Sequence, residues 1–244
     1  MIVVCVFAAI SATAQETDRL RLGMQLGTSS NYARMSGGME HANGRFRQND
    51  FGAANINIIA RYDVNSHWML ESGLGINTFG FSYSISEDYS LRNSREKLAS
   101  LQTDFAALEM PVDIFYKFRL NCRNVRAVLG MGVAPTFIGA QHIEKDFSVT
   151  SEGTSGNYLK SYTVAGDNSV MFLRYHVGIE KLFRNGSVFR ASILINIGFS
   201  DIARSAVDYT LDNENYSHSF TNSGSAAGFR LAWFLPGSTG AVIR

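Results

Sequence analysis

The sequence predicts an all-β fold, an eight-stranded antiparallel up-and-down transmembrane β-barrel with long extracellular hairpins. Three observations predict it. Apolar and polar residues alternate with period two over long stretches. Connections alternate between tight turns and long loops. The polar face carries charges of both signs among glycines, as a crowded interior does.

Residues 1–14 read as a signal peptide. The apolar run Met1 to Ile10 leads into Ser11-Ala12-Thr13-Ala14-Gln15, with an A-x-A-like cleavage site after Ala14. No Lys or Arg precedes the run, so a few residues are expected ahead of Met1. A buried core helix is the alternative; a spanning helix needs about 20 apolar residues and this run is shorter. Cys5 leaves with the signal. Cys122 is then the only cysteine of the mature chain, which excludes an internal disulfide.

Residues 15–244 read as one outer-membrane barrel domain, an ordinary length for a single domain. Lys+Arg is 22 and Asp+Glu is 21, giving a net charge of +1. That balance argues against nucleic acid as a partner. Mean hydropathy is −0.03, which suits neither a helical membrane protein nor a disordered chain. After Gln15 no apolar run reaches the length of a spanning helix, so a membrane must be crossed by strands.

The alternation is clearest from Val188 to Ser200. Phe189, Ala191, Ile193, Ile195, Ile197 and Phe199 share one face, opposite Arg190, Ser192, Leu194, Asn196 and Gly198. A helix would mix the two sets, whereas a strand separates them. The same split recurs around Leu20–Leu26, Ala54–Tyr62, Trp68–Ile76, Leu108–Phe118, Val125–Val133, Met171–Ile179 and Phe229–Leu235. These are the eight expected strands.

Tight turns follow the second, fourth and sixth strands, at Val64–His67, Asn121–Asn124 and Arg184–Ser187, the last containing the hairpin signal Asn-Gly. Long connections follow the others. Outer-membrane barrels have this asymmetry, with short turns in the periplasm and long loops outside. Within the long connections, Phe147–Thr150 with Tyr158–Tyr162, and Val207–Leu211 with Tyr216–Phe220, read as hairpins that extend the wall beyond the membrane.

Either face of an eight-stranded barrel can point inward. A soluble lipocalin-like barrel, with the apolar face inside, is the alternative. The polar face decides for the membrane. It carries Arg21, Arg61, Glu71, Glu109, Asp113, Lys117, Arg126, Arg174, His176, Glu180, Arg190 and Arg230, with Asp63 beside them. This set is expected to form a mutually neutralising lumen network. On the apolar face, Tyr62, Trp68, Tyr116, Phe118, Phe189 and Trp233 cluster by the tight turns, the position of an aromatic girdle. Pro111 and Pro135 fall inside strands, where bulges are expected to absorb them. The chain runs past its last strand, so either Phe234 serves from an internal position as the terminal aromatic of such barrels, or insertion uses a looser signal.

The stretch Leu108-Glu109-Met110-Pro111, leading into a strand that ends Tyr116-Lys117-Phe118, resembles the PorT-like outer-membrane β-barrels of Bacteroidota. The resemblance covers about Arg19 to Leu235. It implies the outer membrane of a Gram-negative bacterium and, through one founding member, secretion of proteins to the cell surface. It implies no catalytic residues.

The histidines show no metal-ligand spacing, and Ser36-Gly37-Gly38 and the glycines from Gly153 to Gly156 do not join a strand to a helix as a phosphate loop must. His218, Ser219, Asp201 and Asp208 are the only candidates for a rim protease or acyltransferase. No catalytic, cofactor or metal site is expected. The expected function is that of a structural or interaction barrel, an accessory to secretion to the cell surface. A narrow pore or transporter is the alternative, and a rim enzyme ranks below both. The expected partners are outer-membrane lipid and proteins met through the extracellular hairpins or periplasmic turns, with the barrel itself monomeric. Tyr158, Tyr162, Tyr209 and Tyr216 mark hairpin edges that would pair with a partner's strand.

Overall fold

A computed structural model describes residues 19–36, 46–49, 51–86, 97–120, 124–151, 154–166, 168–211 and 214–237. The expected signal peptide, residues 37–45 and Cys122 lie outside the described residues. The strands are β1 (Leu20–Ser36), β2 (Phe46–Asn49), β3 (Phe51–Asp63), β4 (Trp68–Ser86), β5 (Lys97–Glu109), β6 (Val112–Arg119), β7 (Val125–Ile138), β8 (Gln141–Ser151), β9 (Thr154–Ala165), β10 (Asn168–Leu182), β11 (Val188–Gly198), β12 (Ala203–Leu211) and β13 (Glu214–Phe234).

Near the tight turns the order is β1-β3-β4-β6-β7-β10-β11-β13, and β13 pairs back with β1 to close the ring. Every pairing is antiparallel. The wall therefore has eight strands, as the alternation predicts. Toward the long loops, five of them continue as separate segments: β2 beyond β3, β5 beyond β6, β8 beyond β7, β9 beyond β10 and β12 beyond β11. Thirteen segments are thus eight wall strands with five interruptions. Closure matters physically, because an open edge in hydrocarbon would leave backbone groups without partners.

The faces divide as the alternation requires. Ile193 and Ile195 are 58% and 47% exposed on the outside, while Arg190 is fully buried within. Val177, Ile179, Leu74 and Ile58 are exposed in the same way around the barrel. This orientation excludes the lipocalin-like alternative, whose apolar side would be enclosed.

The prolines are accommodated without bulges. The β5–β6 wall is interrupted at Met110-Pro111, yet its register against β4 and β7 is the same on both sides of the break. Met110 N donates to Pro135 O at 2.9 Å, and Gly73 N donates to Pro111 O at 3.2 Å. In an antiparallel ladder a residue's N–H and C=O face the same neighbour. The donor that Pro135 lacks would therefore face the interruption itself, so the two prolines share one local defect.

A different irregularity lies in β13. Its tight-turn half pairs with β11 up to Ala226, and its far half pairs with β12 from Asn222. Gly224, at φ 72°, sits between them, and the β1 register shifts between Asn31 and Ala33. A left-handed residue is cheap only for glycine, which suits the chain to this change of partner.

Among the described residues the ladders do not close the extended wall all the way round. β8 pairs with β9 alone, and β5 meets β7 only through Ala107, Leu108 and Glu109. Beyond that point no ladder joins β5 to β8 among the described residues. Lys145 Nζ spans the seam, donating to Gln102 O at 2.5 Å. Of the four tyrosines expected at hairpin edges, Tyr162 and Tyr209 lie between two paired strands. Tyr162 sits between Glu144 and Ala206, and Tyr209 between Leu159 and Tyr216. Tyr158 pairs with Ser148. Hairpin sequence alone does not reveal that β9 and β12 pair with each other, which is what covers Tyr162 and Tyr209.

Candidate functional site in the barrel lumen

Alternate residues of the wall strands point into a space only a side chain wide, and three tiers fill it. At the tight-turn end Asp63 is the centre. Lys117 Nζ donates to its Oδ1 at 2.7 Å and Arg61 Nη2 at 2.9 Å, while Arg21 pairs with Oδ2. Arg61 Nη1 also donates to Glu180 Oε2 at 2.7 Å.

In the second tier Arg190 meets Glu71 as a fork, with Nη1–Oε1 2.5 Å and Nη2–Oε2 2.6 Å. Two parallel charge-assisted bonds fix both planes. The Arg190 guanidinium lies 4.3 Å from the Phe115 ring centroid and 5.4 Å from that of Phe234. Those rings supply a cation–π surface where the fork has no further acceptor.

The third tier centres on Glu109. Arg174 Nη1 donates to its Oε1 at 3.0 Å, Arg230 Nη2 at 3.4 Å, and Asn77 Nδ2 donates to its Oε2 at 3.2 Å. Arg230 Nη1 reaches Gln25 Oε1 at 2.8 Å. Asp113 lies 3.5 Å from Arg174 Nη2 and 3.4 Å from His176 Nε2. His176 is fully buried, its ring 5.0 Å from that of Phe115.

Beyond these tiers, toward the long loops, the lumen becomes aromatic. Phe79 stacks on Phe105 and Phe172 at 6.0 and 5.7 Å, and Tyr83 packs on Phe220 at 4.7 Å. With Phe81, Ile138, Val207 and Tyr209 they form one buried cluster. Asn222 Nδ2 crosses to Gly80 O at 2.8 Å. Burial raises the Tyr209 hydroxyl above its ordinary value, and Tyr216 beside it raises it further.

Eleven of the twelve residues expected in the network thus take part in these contacts. Arg126 stands apart. It is half-buried at the tight-turn mouth, opposite Arg119, and makes no ion pair among the described residues. Alternation places Asp63 on the inner face but does not show that it gathers three cations. Phe115, Phe172 and Phe234 lie on the same inner parity as the charges. Phe234 is fully buried, 5.2 Å from the Arg61 guanidinium, instead of facing lipid as a terminal aromatic would. The signal for all three was their position in the alternation; their apolar character hid it.

Glycines make the lumen fit. A Cβ on Gly130 would run into the Phe115 ring, and one on Gly132 into Asp113. Gly130→Val is expected to displace the ring beneath Arg190 and destabilise the barrel by about 1–3 kcal/mol, the usual cost of overpacking. The urea midpoint of the folded protein checks this.

The six girdle aromatics lie on the outer face by the tight turns. Trp68 packs edge-on against Tyr116 at 4.9 Å, and Tyr116 against Phe118 at 4.6 Å. Phe189 lies 6.1 Å from Trp233. Tyr62 is half-buried beside them in the outer row of β3. The rim residues are not brought together. His218 is opposite Val207 on the inner face, with Nε2 3.0 Å from the Tyr209 hydroxyl. Asp208 and Ser219 are on the outer face of the same hairpin, and Asp201 lies 3.9 Å from Arg204.

Comparison with known proteins places these features in context. The sequence pattern described as the outer membrane protein beta-barrel domain matches residues 1–180. No curated protein matches the chain. Among solved structures, OprG from Pseudomonas aeruginosa is similar at 12% identity and TM-score 0.41, covering 89% of this chain and 94% of that one. A major outer membrane protein from Thermus thermophilus matches at 11% and 0.41, covering 88% and 99%. The outer membrane protease OmpT from Escherichia coli matches at 12% and 0.35, covering 90% and 95%.

Proposed function

Since the chain belongs to the outer membrane protein beta-barrel domain family, we propose that it acts in the outer membrane as a closed structural and interaction barrel, one that conducts nothing and catalyses nothing. The observation that carries this reading is the crowded lumen: among the described residues, buried ion-paired tiers give way to a buried aromatic cluster toward the long loops. A solute path would require breaking charge pairs that are already out of water.

The wall beyond the membrane supplies the interaction surface. Among the described residues, the facing edges of β5 and β8 carry backbone donors and acceptors outside any ladder, the chemistry that takes up a partner's extended strand. The Leu108-Glu109-Met110-Pro111 resemblance gives the finer form of this role, a PorT-like accessory to protein secretion to the cell surface.

Purified protein in planar bilayers tests the closed lumen. Unitary current steps are expected to be absent, and reproducible steps would support the narrow-pore reading instead. In intact cells, a photo-crosslinking residue at Glu144, exposed on β8, is expected to capture a defined protein that the same residue at lipid-facing Val177 does not. Equal capture at both sites would count against the β5–β8 seam.

A further inference from the structure

We propose that a cavity on the outer flank of the tight-turn end binds the phosphate of an anionic phospholipid headgroup. Its volume is about 510 Å³, and Lys181, Arg184, Asn124, Asn185, Phe183 and Trp233 are among the residues that line it.

The site is built where β10 leaves the membrane. The lipid-facing row Tyr175, Val177 and Ile179 ends in Lys181, on the same face and exposed. A cation in that row is tolerable only where its head reaches the interface. The local aromatics mark that depth. Lys181 Nζ lies 5.5 Å from the Phe183 centroid, and Phe183 lies 5.4 Å from Trp233. Such rings sit at headgroup level in membrane barrels.

Neither cation is spent on an ion pair within the described residues. Among the described residues neither Lys181 nor Arg184 meets a carboxylate. Glu180, next in the chain, points inward to Arg61. The neighbouring turns are held in place: Leu182 N donates to Asn124 O at 2.9 Å, and Asn185 Oδ1 accepts from Ser187 N and Oγ. That engagement leaves the Asn185 amide N–H groups to donate outward. Two cations without a carboxylate partner, amide donors and an aromatic floor match a phosphate diester above its acyl chains. At headgroup depth lipid phosphate is the abundant anion of that kind, and basic pockets at membrane interfaces bind acidic headgroups. Free phosphate shares the charge but has nothing to place on the aromatic floor.

Native mass spectrometry of the full detergent-solubilised chain tests the site, with phosphatidylglycerol, phosphatidylcholine and inorganic phosphate as probes. One phosphatidylglycerol adduct is expected at concentrations where phosphatidylcholine gives none, and excess inorganic phosphate should not displace it. The double variant Lys181→Gln/Arg184→Gln is expected to bind about tenfold more weakly. Lys181→Arg/Arg184→Lys should restore binding, and Arg204→Gln, at the opposite end, should leave it unchanged. Heat-modifiable gel mobility verifies folding, and both cations are exposed, so their loss leaves the lumen intact. Equal binding of both lipids, displacement by phosphate, or an unchanged adduct in the folded double variant would each overturn the proposal.

Discussion

Arg190→Ala is expected to destabilise the folded barrel by about 3–5 kcal/mol, because it strands the Glu71 carboxylate in the lumen. Glu71 is 3% exposed, and both of its oxygens accept from the Arg190 fork. Removing the arginine also uncovers the faces of Phe115 and Phe234, which the guanidinium overlies. The double variant Glu71→Ala/Arg190→Ala removes the orphaned charge and should recover much of the loss. With the wild type and Glu71→Ala, these form a double-mutant cycle, read from urea unfolding midpoints in lipid vesicles. A cost of Arg190→Ala below about 0.5 kcal/mol, in the range of an exposed surface substitution, would show that the pair is solvated and the lumen open to water.

Ile193→Arg is expected to cost about 2–4 kcal/mol, the depth-dependent cost of a cation on the lipid face of a barrel. Ile193 is 58% exposed and pairs in register with Val177, 59% exposed, in the middle of the outer apolar band. Its neighbour Ser192 is buried in the lumen. The orientation is tested by contrast with Phe199→Arg, at the far end of the same outer row and 72% exposed. If hydrocarbon is what solvates this face, the cost falls steeply from Ile193 to Phe199. Equal, small costs at both positions would mean that water bathes the whole outer surface.

Both predictions depend on the direction of the faces, and that direction was legible from residue order. In β11 every inward and outward position was assigned by parity, because the pleat has a period of two whatever the strand pairs with. Tight turns such as Asn185-Gly186, where Gly186 has φ 82°, were legible for an equally local reason. Alternation was less informative where an inward position is apolar. Phe115 and Phe234 fit the parity of the charged rows, but only the assembled lumen shows that they lie against Arg190.

By itself, then, residue order determined that the chain forms eight wall strands, which side of each meets lipid, and which charges lie within. Those properties follow from steric alternation along one strand. The tertiary structure alone decided that Glu71 would find Arg190, 119 positions away, that Asp63 would gather Arg21, Arg61 and Lys117, and that β8, among the described residues, would pair on one side only. Such matches depend on the stagger between strands and the tilt of the closed wall, quantities that the whole barrel fixes and no single segment encodes.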